Sequence, residues 1–177
     1  LGLISQDFAL NNPNDRQWVI GVMFLGLTLG QFFYGPLADR YGRRHTLFAG
    51  IGLFLLGSWA CWVAQDFEAL LLGRFLQGIG VAGPRIVSTA MIRDRFKGVE
   101  MAQVSSLIMT VFIAVPVLAP AIGQAVLWLG DWRDLFLGYA LWGVAMIAWV
   151  AFRQPESLPN VRPLNPRAIG ATALEVL

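Results

Sequence analysis

The sequence predicts an all-α membrane protein, and three observations carry that prediction. Charge is scarce: 56% of residues are hydrophobic and 14% are charged, against about 25% charged in a soluble domain, too few to cover a water-facing surface. Five apolar stretches, at 17–37, 46–64, 69–92, 102–128 and 134–152, each have about the 20 residues that cross a bilayer core. Basic residues also alternate from one connection to the next. No strand-like alternation of membrane-barrel length recurs, so each stretch reads as a helix. Seven Trp and nineteen Gly suit membrane interfaces and close helix packing.

Taken in order, residues 1–16 open with LGLI, which reads as the extracytoplasmic tail of an earlier span followed by a loop. The chain has neither an initiator Met nor a signal-peptide pattern and reads as a piece of something longer. The first full span, 17–37, carries Gly26 and Gly30 at G-x-x-x-G spacing, which serves packing within the chain or between copies. The second span, 46–64, holds Cys61, the only Cys, which excludes an intrachain disulfide and reads as a small buried hydrophobe. Residues 65–68, ahead of the third span, carry Asp66 and Glu68 and no base. The third span, 69–92, contains Arg74 and Arg85, and the fourth, 102–128, contains Pro116, Pro120 and Gly123. The fifth, 134–152, leads into residues 153–177, where Pro155, Pro159, Pro163 and Pro166 exclude a continuous helix and mark a cytoplasmic linker.

The nine bases Arg40, Arg43, Arg44, Arg93, Arg95, Lys97, Arg153, Arg162 and Arg167 fall on one side, and Arg16 and Arg133 on the other. The positive-inside rule makes the richer side cytoplasmic and the start of the chain extracytoplasmic. A net charge of +2 offers nucleic acid little. One His, one Cys and no deep membrane acid supply no constellation for an enzyme.

Between the first two full spans runs GPLADRYGRRHTL, residues 35–47. On physics alone it is a positive anchor in a tight turn. Gly35 allows close packing of a helix end, Gly42 allows a left-handed turn, and Asp39 is a lone acid among bases that needs a partner. His45, the only His, reads as a solvated loop residue. The full pattern, Gly35, Leu37, Ala38, Asp39, Arg40, Gly42, Arg43, Arg44 and Leu47, resembles the helix 2–3 loop of the major facilitator superfamily. The resemblance implies the amino-terminal six-helix bundle of a transporter, with helix 1 largely missing and helices 2–6 present. It also implies a cytoplasmic gate. In that gate Asp39 faces a helix N-terminus of the other half, where about half a positive charge resides. Arg43 pairs with an acid at the end of helix 4, the place of Asp94.

An arginine inside a span costs about 2.5–3.5 kcal/mol on insertion scales and tends to face a cavity or partner. Eleven residues turn through about 1100°, so Arg74 and Arg85 share a helix face about 16 Å apart, with Gln77 near the same stripe. That stripe reads as a cavity wall; Arg74 snorkelling to the outer interface, and Arg85 packing near the inner surface or pairing with a loop acid, are the other readings. Arg-x-x-Gln-Gly-x-Gly at 74–80 resembles the family's helix 4 motif of proton-coupled members, which implies a coupling role for Arg74. APAIGQ, 119–124, is similar in part to the helix 5 motif of drug antiporters, with Ala119 and Gln124 in place of two glycines. Pro116 and Pro120 bend the helix in either case. DWRDLF, 131–136, is reminiscent of the antiporters' helix 5–6 connection, where the Trp–Arg pair reads as an interface anchor.

The wording over residues 17 to about 155 resembles the bicyclomycin- and chloramphenicol-resistance branch of drug:proton antiporters. That implies a multi-pass protein of the bacterial inner membrane and proton-coupled efflux by alternating access. Its partners are a small-molecule substrate, protons, lipid and the carboxy-terminal half, with no cofactor beyond the proton gradient. Five spans alone are not expected to transport, because two six-helix halves rock about a shared site. No acid of this chain lies deep in a span, so the proton carrier is expected in helix 1 or the other half. Two rivals stand: a proton-coupled symporter or facilitator for a small anionic metabolite, which two cavity arginines would suit, and a non-transporting membrane scaffold.

Overall fold

The computed structural model describes residues 2–8 and 14–153. Six helices follow in order: α1 (Gly2–Asp7), α2 (Asp15–Tyr41), α3 (Arg43–Val63), α4 (Phe67–Arg95), α5 (Gly98–Leu129) and α6 (Trp132–Arg153). The last five are long and apolar enough to cross a membrane. The expected linker lies outside the described residues, apart from Arg153.

The spanning helices outrun their apolar stretches, because hydrogen bonding of the backbone continues into polar end turns that hydropathy leaves out. The correction is largest at residues 38–45, read above as a loop. Helix α2 runs through Pro36 to Tyr41, α3 begins at Arg43, and Gly42 alone separates them. Its φ of 92° lies in the region that costs an L side chain most. The buried Thr46 side chain donates to the Gly42 carbonyl at 2.8 Å and fixes the first turn of α3. Exposed His45 therefore belongs to a helix. Gly35 has no close neighbour: a Cβ there would meet nothing within 4 Å.

Helix α4 is the centre of the bundle, with α2 on one side and α3 on the other; α6 packs on α3 and α5 lies mainly along α6. Asp66 starts α4 by accepting from the Ala69 N–H at 2.7 Å, a cap of about 1 kcal/mol. Small residues set the spacing. A Cβ on Gly30 would sit 2.7 Å from the Ala82 Cβ, and one on Gly26 would strike the Phe75 carbonyl, so G-x-x-x-G here joins α2 to α4. Between α3 and α4, Gly57 meets Gly73 and Gln77 backbone in the same way.

Two apolar clusters cement opposite ends. One gathers Ile4, Val19, Cys61, Leu70, Trp132 and Phe136; the other gathers Ala38, Leu47, Ile51, Val87 and Val150. Trp132 is only 3% exposed, so it is a core residue rather than an interface anchor. Helix α5 is continuous through Pro116 and Pro120, both exposed, and all of residues 106–122 are exposed although strongly apolar. Such a face is suited to hydrocarbon or to another helix, not to water.

Candidate functional site

Long-range bonds sort the polar residues into two helix ends and a level between them. At the first end Gly42 turns the chain so that Arg43 opens α3 beside the end of α2. The guanidinium reaches Asp39, one turn back, at 2.9 Å and Asp94, at the end of α4, at 3.1 Å. The Arg43 side chain is 10% exposed, Asp39 55% and Asp94 39%, so a sheltered cation is held by two carboxylates that keep contact with water. Arg44 points elsewhere: it donates to the Ala151 carbonyl in the last turn of α6 at 2.9 Å and lies over the Phe48 ring. Exposed Arg40 lies over Tyr41. The adjacent arginines thus bind different helices, one α4 and one α6.

At the opposite end the Asp7 carboxylate accepts from Arg133 at 2.5 Å and from the Trp132 indole at 3.1 Å. Arg133 also donates to the Ala64 carbonyl after α3 and lies 4.4 Å from the Trp132 ring centre. These bonds favour the charged carboxylate, Arg133 first and Trp132 second, and hold its pKa below the ordinary value.

Between the ends, Arg74 projects from α4 toward α2 and α6. Its NH1 donates to the Gln77 carbonyl oxygen at 3.1 Å and lies 3.6 Å from the Met23 sulfur; the guanidinium stacks 4.8 Å above Phe136. Its Nε is buried and has no hydrogen-bond partner among the described residues. Arg74 lines a partly open cavity of about 630 Å³ with Gln6, Gln124, Trp132, Phe136 and Tyr139. Behind Arg74, Gln77 is buried and donates to Ser58 on α3.

Of the residues singled out by sequence, Asp39, Arg43 and Asp94 meet, and Arg74 and Gln77 meet. Arg85 is exposed and does not line the cavity: sharing a stripe with Arg74 does not bring it there, since eleven residues carry it about 16 Å farther along the α4 axis. Gly123 has open space where a Cβ would be, and exposed Pro116 and Pro120 do not line the cavity. Gln124, read above only as a departure from a glycine motif, is a lining residue. Its amide in the most apolar span was the signal available in sequence. Ser58 carried no such signal, because a serine in a helix commonly satisfies itself on the preceding turn.

Comparison with known proteins agrees with this architecture. The family description Major Facilitator Superfamily matches residues 2–175. The chain is 35% identical over 150 residues to the MFS-type transporter YdgK of Bacillus subtilis (strain 168), covering 84% of this chain and 37% of the relative. It is 33% identical over 147 residues to the multidrug resistance protein MdtL of Escherichia coli O9:H4 (strain HS), covering 83% and 37%. The MdtL of Shigella flexneri matches to the same extent. The chain therefore spans just over a third of the length of these relatives.

Proposed function

The chain belongs to the major facilitator superfamily, a family of transporters rather than enzymes, and on that premise we propose that it forms part of a bacterial inner-membrane antiporter that exports small amphiphilic drugs in exchange for protons. In this reading Asp39, Arg43 and Asp94 are the cytoplasmic gate, Arg74 couples transport to protons, and a carboxy-terminal half completes the transporter. The observation that carries the proposal is Arg74: a half-buried cation inside a spanning helix, facing a cavity large enough for a drug-sized molecule. Aromatic walls at Trp132, Phe136 and Tyr139 suit an amphiphilic guest. The multidrug resistance name of MdtL supports the substrate class. The proton moves on a carboxylate supplied from outside the described spans. Arg74 favours the charged form of that carboxylate and so sets the point at which it protonates.

A second reading is supported by one feature: the cavity holds a guanidinium, and no carboxylate lines it among the described residues. That field suits a small anionic metabolite carried by symport or facilitation.

The test uses the complete transporter in everted vesicles acidified by respiration, with a pH-sensitive dye and a panel of amphiphilic drugs. Drug-dependent proton release that Arg74→Ala abolishes at matched expression is the expected result. Absence of release with every drug overturns the export reading, and uptake of small anions lost in Arg74→Ala would then establish the second.

A further inference from the structure

We propose that Ser58, on α3, is a positioning residue for Arg74, acting through the Gln77 amide. The inference rests on the antiport reading only for what Arg74 does. Three hydrogen bonds run in one direction. Arg74 NH1 donates to Gln77 Oε1 at 3.1 Å, Gln77 Nε2 donates to Ser58 Oγ at 2.8 Å, and Ser58 Oγ donates to the Phe54 carbonyl at 2.8 Å. The chain starts at a cation and ends on a backbone carbonyl one helix away.

An amide can be turned end for end, and its neighbours decide which way it faces. Here both ends agree. The Ser58 proton is committed to Phe54, so its oxygen is an acceptor toward Gln77 and selects the NH2 group. The guanidinium has only donors and selects the carbonyl oxygen. Gln77 is 1% exposed and Ser58 0%, so neither partner is in contact with bulk water. Removing the hydroxyl leaves Nε2 without an acceptor in a place closed to solvent, and the amide gains by turning away in search of one. Arg74 then loses the oxygen that accepts from it among the described residues, and its head is held only by Met23 and the Phe136 face.

Ser58→Ala is crossed with Arg74→Met, which keeps the apolar stem and removes every donor to Gln77, in the complete transporter, giving four proteins and two readouts. In everted vesicles Ser58→Ala is expected to slow substrate-driven proton release about tenfold while Arg74 is present, and to have no further effect on any release that remains in the Arg74→Met background. An equal fold loss in both backgrounds overturns the inference, because a packing role would act whatever stands at that position. The second readout, thermal unfolding of the purified proteins, does not depend on transport. The double variant is expected to lose less than the sum of the two single shifts, and additive shifts overturn the inference. If the wild type releases no protons with any drug, the antiport reading fails. In that case, or where the Arg74→Met protein is silent, the unfolding cycle decides alone.

Discussion

Removal of Arg43 tests the cluster at the α2–α3 turn. Breaking a fully buried ion pair costs about 3–5 kcal/mol, and an exposed pair is worth about 0–1 kcal/mol. This cluster lies between the two. Its cation is 10% exposed, while its acids are 55% and 39% exposed. In Arg43→Ala the carboxylates left behind rehydrate, so the severe penalty of a stranded buried charge does not arise. The bonds at 2.9 and 3.1 Å are charge-assisted, which puts the Arg43–Asp94 coupling at about 1–2 kcal/mol. Arg43→Ala, Asp94→Ala and the double variant are to be compared by SDS titration of the purified complete transporter in mixed micelles. The double variant should be more stable than the sum of the singles predicts by that amount. Independent sites add within about 0.5 kcal/mol, so a coupling below that value refutes the reasoning. If the cluster also closes a gate, the same energy corresponds to about a tenfold shift between open and closed states, and both single variants should leak substrate.

Two further predictions concern packing and pH. A Cβ on Gly57 would lie 2.5 Å from the Gln77 nitrogen and 2.8 Å from the Gly73 carbonyl oxygen, both rigid backbone, so Gly57→Ala must push α3 from α4 at about 1–3 kcal/mol. Gly52→Ala, where nothing lies within 4 Å, should be neutral or gain up to about 1 kcal/mol of helix propensity; equal SDS midpoints for the two would refute the close approach. The Asp7 carboxyl has its folded pKa depressed by Arg133 and Trp132 below the ordinary 3.8. Its stabilisation is therefore complete above about 3.8 and lost as pH falls through the depressed value. Melting temperatures measured from neutral pH downward should show Asp7→Asn below wild type, with the gap closing at the acid end, and a gap independent of pH would contradict the assignment.

What sequence by itself determined is what short stretches of chain settle alone. Apolar runs of bilayer length without strand-like alternation fixed five helices, because lipid leaves the backbone only helices and closed barrels to satisfy its hydrogen bonds. Gly42 is legible as a position where the turn can take a positive φ, because glycine adopts such a backbone at no steric cost. The i, i+3 spacing of Arg74 and Gln77 on one helix places them within reach of each other without any tertiary contact. Tertiary structure decided what depends on how helices are rotated against one another. Asp7 finds Arg133 across 126 residues and Arg44 finds Ala151 across 107, and no local periodicity encodes such pairs. The same rotation hides Trp132, turns Gln124 into the cavity, leaves Arg85 outside it and sets Ser58 behind Gln77. In a chain that exposes large apolar residues such as Phe32, Trp59 and Phe112 while burying others such as Leu70 and Val87, hydropathy identifies each helix but carries little information about its azimuth. That angle was set by close backbone packing at Gly26, Gly30, Gly57 and Gly73, and the composition of the site followed from it.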